Sequence, residues 1–162
     1  MIRKIFYVAN ARMPSEKAHG IQLAKMCEAL IEQGVDLTLV VPAVGRRFSP
    51  QHRMFSRKVP EGLLREYYGL RVDVPVVRLP VLDLFPSTSW GFTLRAISFA
   101  VSSFVYALLQ RLRYRRAGAL VYTIDLDQFS YFLLPLAGLP VFFEAHGGKK
   151  TSAVLTFFLR RV

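Results

Sequence analysis

The sequence is short of the residue types that form several common kinds of site. Its 162 residues include one cysteine, Cys27, and three histidines, so it forms no intramolecular disulfide and shows no zinc-ligand spacing. It also lacks the G-x-G-x-x-G fingerprint and the phosphate-binding P-loop, which disfavours a dinucleotide site or a kinase-type nucleotide site. We therefore expect neither a metal nor a cofactor.

The chain has no apolar run as long as the ~20 residues that a bilayer-spanning helix needs. Its longest run, residues 96–109, is interrupted only by serines and lies between Arg95 and the arginines that follow Gln110. Two interpretations of this run stay open: a buried helix of an α/β domain, or an interfacial helix whose end touches anionic lipid. At 162 residues the chain is long enough for one domain with its own core.

Acidic residues are scarce, and the excess of basic residues is concentrated. The chain has 22 Lys and Arg against 11 Asp and Glu, a formal net charge of +11. Thirteen of the basic residues fall in three segments that contain no acid: Arg46, Arg47, Arg53, Arg57 and Lys58; Arg111, Arg113, Arg115 and Arg116; Lys149, Lys150, Arg160 and Arg161. Such segments indicate an anionic partner, with solvated surface as the alternative, and we expect the first two to contact a membrane or another anion.

Apolar runs alternate with helical patterns along the chain. Strands are predicted at residues 5–9, 37–41, 76–79, 119–123 and 141–143, and helices at 20–33, 63–68, 129–137 and 151–161. This alternation predicts a parallel sheet covered by helices on both faces, and therefore a single Rossmann-like three-layer α/β domain. Cys27 falls inside the first helical pattern, where a packed thiol is expected.

Polar residues are expected to collect at the carboxyl edge of this sheet, where ligands of such folds bind. The candidates follow the first, fourth and fifth predicted strands: Ser15, Lys17, His19, Gly20, Asp125, Glu144, His146 and Gly147. Gly20 either lets an anion approach the first N–H groups of the helix or serves close packing. His19 is a hydrogen-bond donor or a cap residue. His146 precedes a glycine-rich lip and can donate a hydrogen bond to a substrate oxygen, with a structural role as the alternative.

The most specific signals are four segments of the sequence. They are IFYVANARMPSEKAHGIQLAKMCEALIEQGVDLTLVVP, in which MPSEKAHG is the most distinctive run, EYYGL at residues 66–70, LVYTIDLD, and LPVFFEAHG. Together they resemble the N-terminal domain of family 4 glycosyltransferases of GT-B fold, and the MPSEKAHG run closely matches one bacterial branch. The similarity covers residues 1–148 and is weak in the middle.

The resemblance implies a retaining, hexosyltransferase-type enzyme that transfers a sugar from a nucleotide-sugar donor to a lipid-linked or polysaccharide acceptor. In that family the N-terminal domain mainly holds the acceptor and often docks on anionic membranes. We therefore expect a cytoplasmic protein, peripheral at the inner face of the plasma membrane. The resemblance also implies that the Gly20 loop approaches the donor diphosphate, and that His146, as the catalytic residue, hydrogen-bonds the transferred sugar.

The chain departs from the family pattern in two respects. The family usually has an arginine before the aspartate that follows its fourth strand, whereas this chain has Ile124 before Asp125. Nothing after Gly148 resembles the second Rossmann-like domain, whose Glu-x₇-Glu pair handles the donor. We therefore expect residues 1–162 to be an acceptor-binding domain that is incomplete at its C-terminal end and inactive alone: a fragment, a truncated gene product, or half of a split enzyme with a partner subunit.

Two other functions compete with sugar transfer. A non-catalytic membrane-docking or partner-recruiting subunit would show an exposed apolar patch and would bind lipid without nucleotide. A nucleic-acid-binding domain would suit the basic charge, but the arginine segments lack a recognition helix, an RRM sequence and zinc-finger spacing. We therefore expect no nucleic acid among the partners.

Overall fold

The computed structural model describes residues 4–44, 61–84, 87–114, 118–124 and 128–144. Within these ranges, five strands form one parallel sheet in the order β3-β2-β1-β4-β5. The strands are β1 (Lys4–Val8), β2 (Asp36–Pro42), β3 (Val76–Leu79), β4 (Ala119–Ile124) and β5 (Val141–Glu144). All five predicted strands are therefore confirmed, with small shifts at their ends.

Helices cover both faces of the sheet. They are α1 (Ala18–Glu32), α2 (Leu63–Tyr68), α3 (Ser89–Arg113) and α4 (Gln128–Leu133), and a 3-10 turn at Leu134–Ala137 follows α4. α1 and α2 pack on one face of the sheet, whereas α3 and the 3-10 turn pack on the other. The result is the Rossmann-like three-layer α/β domain expected from the sequence.

Successive strand side chains point into two apolar clusters, one on each face of the sheet. In β1, Tyr7 points toward α1 and packs with Cys27, and both are almost fully buried. Phe6 and Val8 point to the other face and pack with Phe99 of α3. Because β1 lies between β2 and β4 and is covered on both faces, its sequence is apolar at nearly every position rather than alternating.

α1 begins two residues before its predicted start and ends where the sequence indicates. Beyond its last turn, Gly34 has a φ of +80°, and the N–H of Val35 donates to the carbonyl of Leu30 at 3.1 Å. A residue with positive φ is favourable mainly as glycine, so Gly34 allows the chain to close the helix and enter β2 directly.

α3 is longer than its apolar run predicts, at 25 residues. Its start is set by Thr88, whose Oγ1 accepts a hydrogen bond from the N–H of Gly91 at 3.0 Å. By length and composition alone, α3 could cross a membrane. It packs on the sheet through one face and exposes the other, so it combines features of the buried and the interfacial interpretations.

The helix predicted at residues 129–137 is divided in two. α4 ends at Leu133 and continues as the 3-10 turn, in which Pro135 has no N–H to donate to an α-helical carbonyl. Gly138, with a φ of +73°, then reverses the chain into β5. The helix predicted at residues 151–161 lies outside the described residues.

Candidate functional site

The carboxyl edge of the sheet is built around the loop that leaves β1. The strand order reverses between β1 and β4, which makes this the topological switch point of the sheet. Open α/β sheets bind their ligands at such a point. Residues 9–17 leave β1 at this edge and enter α1. We refer to residues 9–17 as the β1–α1 loop.

Tyr68, at the end of α2, fixes the backbone of the β1–α1 loop. Its hydroxyl accepts a hydrogen bond from the N–H of Ser15 at 2.6 Å and donates one to the carbonyl of the same residue at 2.9 Å. The Sδ atom of Met13 lies 3.7 Å from the hydroxyl oxygen. Burial is the main cause that raises the pKa of Tyr68, so the hydroxyl keeps the proton that it donates.

Gly20 is buried in the first turn of α1, against the same two partners. A Cβ at this position would lie 3.0 Å from the carbonyl oxygen of Ser15 and 3.1 Å from the hydroxyl oxygen of Tyr68. Close packing therefore accounts for the glycine, although the partners are a loop and a tyrosine rather than the sheet. Its role in anion approach stays a prediction.

Arg78 of β3 gives the β1–α1 loop a second long-range contact. Its guanidinium Nη2 donates to the carbonyl of Met13 at 3.1 Å. The side chain is partly buried, and this burial lowers the pKa of Arg78. The loop backbone is thus held at Met13 by β3 and at Ser15 by α2, which leaves its geometry set by tertiary contacts.

A third contact ties the segment after α2 to α1. The carboxylate of Glu28 accepts a hydrogen bond from the N–H of Arg71 at 2.5 Å and another from Lys25 Nζ at 2.9 Å. These two donors, the backbone N–H first, hold the pKa of Glu28 below its usual range. Because Tyr68 lies in the chain just before Arg71, this contact helps to keep α2 against α1.

The remaining predicted residues, Lys17 and His19, lie where the β1–α1 loop enters α1. Lys17 is the N-cap residue and is exposed, and His19 is half-buried. The N–H of Lys17 donates to Ser15 Oγ at 3.2 Å, while no acidic residue lies in this turn. The positive end of the helix dipole is therefore accompanied by a lysine and a histidine rather than by a neutralising acid within the helix.

Glu144 ends β5 and is held by a tyrosine of the neighbouring strand β4. Tyr122 Oη donates to Glu144 Oε2 at 2.5 Å, and buried Tyr7 lies close enough to this carboxylate for its charge to act on the Tyr7 hydroxyl. Burial is the main cause that raises the pKa of Tyr122, and the hydrogen bond to Glu144 and its charge raise it further. Burial, and then the charge of Glu144, likewise raise the pKa of Tyr7. The rings of Tyr7 and Tyr122 pack edge to face with their centroids 4.6 Å apart, and the ring of Phe142 stacks on that of Tyr122 with a centroid distance of 5.2 Å.

The two groups of polar contacts lie on the same face of the sheet. Tyr7 and Met13 are members of the apolar cluster beneath α1, and Tyr68 and Tyr122 pack against that cluster. The structure thus brings Ser15, Gly20 and their tyrosine partner into direct contact. It places Glu144 separately, at the ends of β4 and β5.

Sequence reasoning did not single out the three residues whose side chains hold these groups, Tyr68, Arg78 and Tyr122, or Tyr7, which packs beside Tyr122. Strand tyrosines look like core residues in a sequence, and Arg78 looks like one more basic residue. The available signal was the family-like segments, because Tyr7, Tyr68 and Tyr122 lie within the IFYVAN, EYYGL and LVYTIDLD runs, whereas Arg78 lies in none of them.

Several predicted site residues lie outside the described residues: Arg46, Arg47, Arg53, Arg57, Lys58, Arg115, Arg116, Asp125, His146 and Gly147. Of the second basic segment, Arg111 and Arg113 are described, and both are exposed at the end of α3. Arg111 Nη1 lies 3.5 Å from the carbonyl oxygen of Ala137, and the Arg113 guanidinium lies 5.9 Å from the ring centroid of Tyr114. Within the described ranges, no three His, Cys, Asp or Glu side chains gather as metal ligands.

Comparison with protein-family models and with curated proteins finds no match for this chain. The fold is therefore established by the structure itself. The resemblance to family 4 glycosyltransferases stays a prediction from the quoted segments.

Proposed function

We propose that this chain is the acceptor-binding domain of a retaining glycosyltransferase. The reaction would transfer a sugar from a nucleotide-sugar donor to a lipid-linked or polysaccharide acceptor. The observation that carries the proposal is the contact between Tyr68 and Ser15. It joins the MPSEKAHG and EYYGL segments, the two that resemble one branch of the family, at the edge where ligands of such sheets bind.

The first turn of α1 supports an anionic or hydroxyl-rich ligand. Lys17 supplies a positive charge and His19 a hydrogen-bond donor beside the helix N-terminus, whose N–H groups favour negative charge. Ser15 is positioned by Tyr68, so its hydroxyl has a defined place beside Lys17. We propose that these groups contact the acceptor or the diphosphate of the donor, and that Asp125, Glu144, His146 and Gly147 complete the site.

Sugar transfer also requires stabilisation of the leaving diphosphate. In the family this chain resembles, a second Rossmann-like domain carries out that task. We propose that the donor binds only together with such a domain or a partner subunit that supplies it. We propose that the reaction uses no cofactor. We also propose that the enzyme lies in the cytoplasm, peripheral to the inner face of the plasma membrane.

Acceptor binding is testable with the chain as it is. The probe is a short-chain polyprenyl diphosphate that carries one sugar, titrated into the protein and followed by calorimetry. We expect saturable binding that Lys17→Ala combined with His19→Ala weakens at least roughly ten-fold, the loss of about one charge-assisted hydrogen bond. Arg71→Ala, which removes another exposed positive charge, is the matched control and should bind like the wild type.

Either of two results would contradict the proposal. One is the absence of saturable binding by the folded wild-type protein. The other is equal loss of binding in the Lys17/His19 variant and in the Arg71 control, because this would mean that net charge alone attracts the probe.

A non-catalytic subunit that docks on a membrane or recruits a partner is the second candidate function. The exposed apolar face of α3 favours it, since monomeric soluble proteins rarely expose a continuous apolar surface without a use for it. Lipid binding without any binding of the sugar-bearing probe would favour this candidate over sugar transfer.

A further inference from the structure

On α3 most of the buried side chains are small and many of the exposed ones are large and apolar, whereas a surface helix usually buries its large apolar side chains. The buried residues that pack toward the sheet are mostly small: Gly91, Ala96, Phe99, Ala100, Ser103 and Ala107. Eight large apolar residues of α3 are exposed; besides Phe92 and Leu109, six of them lie in one stripe: Trp90, Ile97, Val101, Val105, Leu108 and Leu112. We refer to these six exposed residues as the outer stripe.

The outer stripe is continuous along the helix. At about 100° per residue, its members fall within an arc of roughly 80°, on the side opposite to Phe99 and Ser103. From Trp90 to Leu112 it runs about 33 Å at 1.5 Å per residue. Trp90 is the most exposed member, at 85%. A stripe of this width and length is what an amphipathic helix presents to an apolar phase.

Neighbouring segments widen the stripe on both sides of α3. Ser102 Oγ donates to the carbonyl of Pro80 at 2.7 Å, and Ser98 Oγ accepts from the N–H of Leu82 at 2.9 Å. These bonds hold the segment after β3 along the helix, with the Leu82 side chain exposed. The two serine hydroxyls beside the stripe are therefore already engaged within the protein. On the other side, Leu136 of the 3-10 turn is 66% exposed.

α3 is not free to cross a bilayer while the domain stays folded. Phe99 and Ala100 are fully buried, and Phe99 packs with Phe6 and Val121 in the core beneath the helix. Arg95 is paired with Asp83 at 3.7 Å, which fixes the first half of the helix to the preceding segment. The helix can therefore meet an apolar phase only through its outer face, lying parallel to the surface.

The charges around α3 favour an anionic bilayer over a second copy of the chain. The helix sequence contains three arginines and no acidic residue, and Arg111 and Arg113 stand at the end of the stripe. Two α3 helices packed together would bring no acid to pair with these arginines. Anionic headgroups would supply the counter-charge, and Trp90 at the other end is a residue type favoured at the membrane interface.

We propose that α3 lies in the plane of an anionic membrane, with the outer stripe inserted into the interface and Arg111 and Arg113 among the headgroups. The surface lies on the opposite face of the sheet from the loop held by Tyr68. Its docking requires no sugar donor or acceptor, so the inference stands independently of the transferase proposal.

The single tryptophan of the chain makes the inference directly testable. The 162-residue chain is mixed with vesicles of phosphatidylcholine alone or with added phosphatidylglycerol, and Trp90 fluorescence and co-sedimentation are measured. We expect a blue shift and quenching by brominated lipid on the anionic vesicles, with binding weakened by salt. Equal binding to neutral vesicles would overturn the role of anionic headgroups, and binding without a Trp90 shift would overturn insertion of the stripe.

A matched pair of variants separates the outer stripe from general surface change. Ile97 and Ile21 are 41% and 45% exposed, but Ile21 lies on α1, on the other face of the sheet. Ile97→Glu should reduce partition into anionic vesicles roughly ten-fold, whereas Ile21→Glu should leave it unchanged within about two-fold. Circular dichroism of both variants serves as the control for folding, and both spectra should match that of the wild type.

Two further results would overturn the proposal. Absence of vesicle binding by the wild-type protein would exclude the bilayer as the occupant. If sedimentation instead shows a concentration-dependent dimer that Ile97→Glu dissociates, the outer stripe is an interface between two copies of the chain.

Discussion

Tyr68→Phe is the sharpest test of how the loop at the carboxyl edge is held. The substitution removes only the hydroxyl that bonds both the N–H and the carbonyl of Ser15. Each such hydrogen bond contributes about 0.5–1.5 kcal/mol net, and water replaces part of what is lost at a half-buried site. We therefore expect the free energy of unfolding to fall by about 1–2 kcal/mol.

Urea unfolding followed by circular dichroism measures this loss. At a typical m-value for a small domain, the midpoint should fall on the order of 0.5–1 M with m unchanged. The amide hydrogen of Ser15 should also exchange faster, because it loses its only acceptor described in this structure. Tyr67→Phe is the matched control: the neighbouring ring is 46% exposed, and its substitution should change the free energy of unfolding by less than about 0.5 kcal/mol.

A loss below about 0.5 kcal/mol in Tyr68→Phe, with unchanged exchange at Ser15, would refute this reasoning. It would mean that the loop keeps its geometry without the tyrosine. The contact between the two segments would then no longer support a built site at this edge.

Three further predictions concern neighbouring residues. The pKa of Glu28 is lower in the folded than in the unfolded state, so its contribution to stability is present above the unfolded pKa of about 4.3 and is lost as pH falls through the folded value. Glu28→Gln should therefore flatten the acid limb of a stability–pH profile. A profile as steep as that of the wild type would contradict this. Gly20→Ala should cost about 1–3 kcal/mol in urea unfolding, since its Cβ would crowd the Ser15 carbonyl; a stabilised variant would show that the loop yields. Burial raises the pKa of the Cys27 thiol to about 12, so a thiol reagent at neutral pH should label it only at the rate of unfolding, and rapid labelling of the native protein would contradict its burial.

The sheet and its first helix could be predicted from the sequence because their signals are local. Residues 5–9 and 37–41 are apolar runs between breakers, and they form β1 and β2 with shifts of one residue at most. Gly34 marked the end of α1 correctly, because the need for positive φ at a helix end is itself a local property.

The division of α3 into a buried and an exposed face could not be predicted. Both faces are apolar, so periodicity does not distinguish them, and only the packing of Phe99 and its small neighbours against the sheet shows which face is inside. The exposure of Ile97 is therefore a finding of the structure.

The candidate site was predicted in part for a similar reason. Ser15 and Gly20 could be named because the loop after the first strand of such a fold lies at the ligand edge. Tyr68 could not be paired with them, since more than 50 residues separate it from Ser15 and no local pattern records a long-range hydrogen bond. The same holds for Tyr122, whose hydroxyl meets Glu144 only after β4 and β5 align.

The central proposal is that the β1–α1 loop and the first turn of α1 bind the acceptor. Hydrogen exchange of the full chain, with and without the sugar-bearing polyprenyl diphosphate, tests this most directly because it reports on each segment. We predict that the probe slows exchange in residues 9–20 and leaves exchange in α3 unchanged when no vesicles are present. Protection confined to other segments, or no protection at a saturating concentration of the probe, would contradict the account.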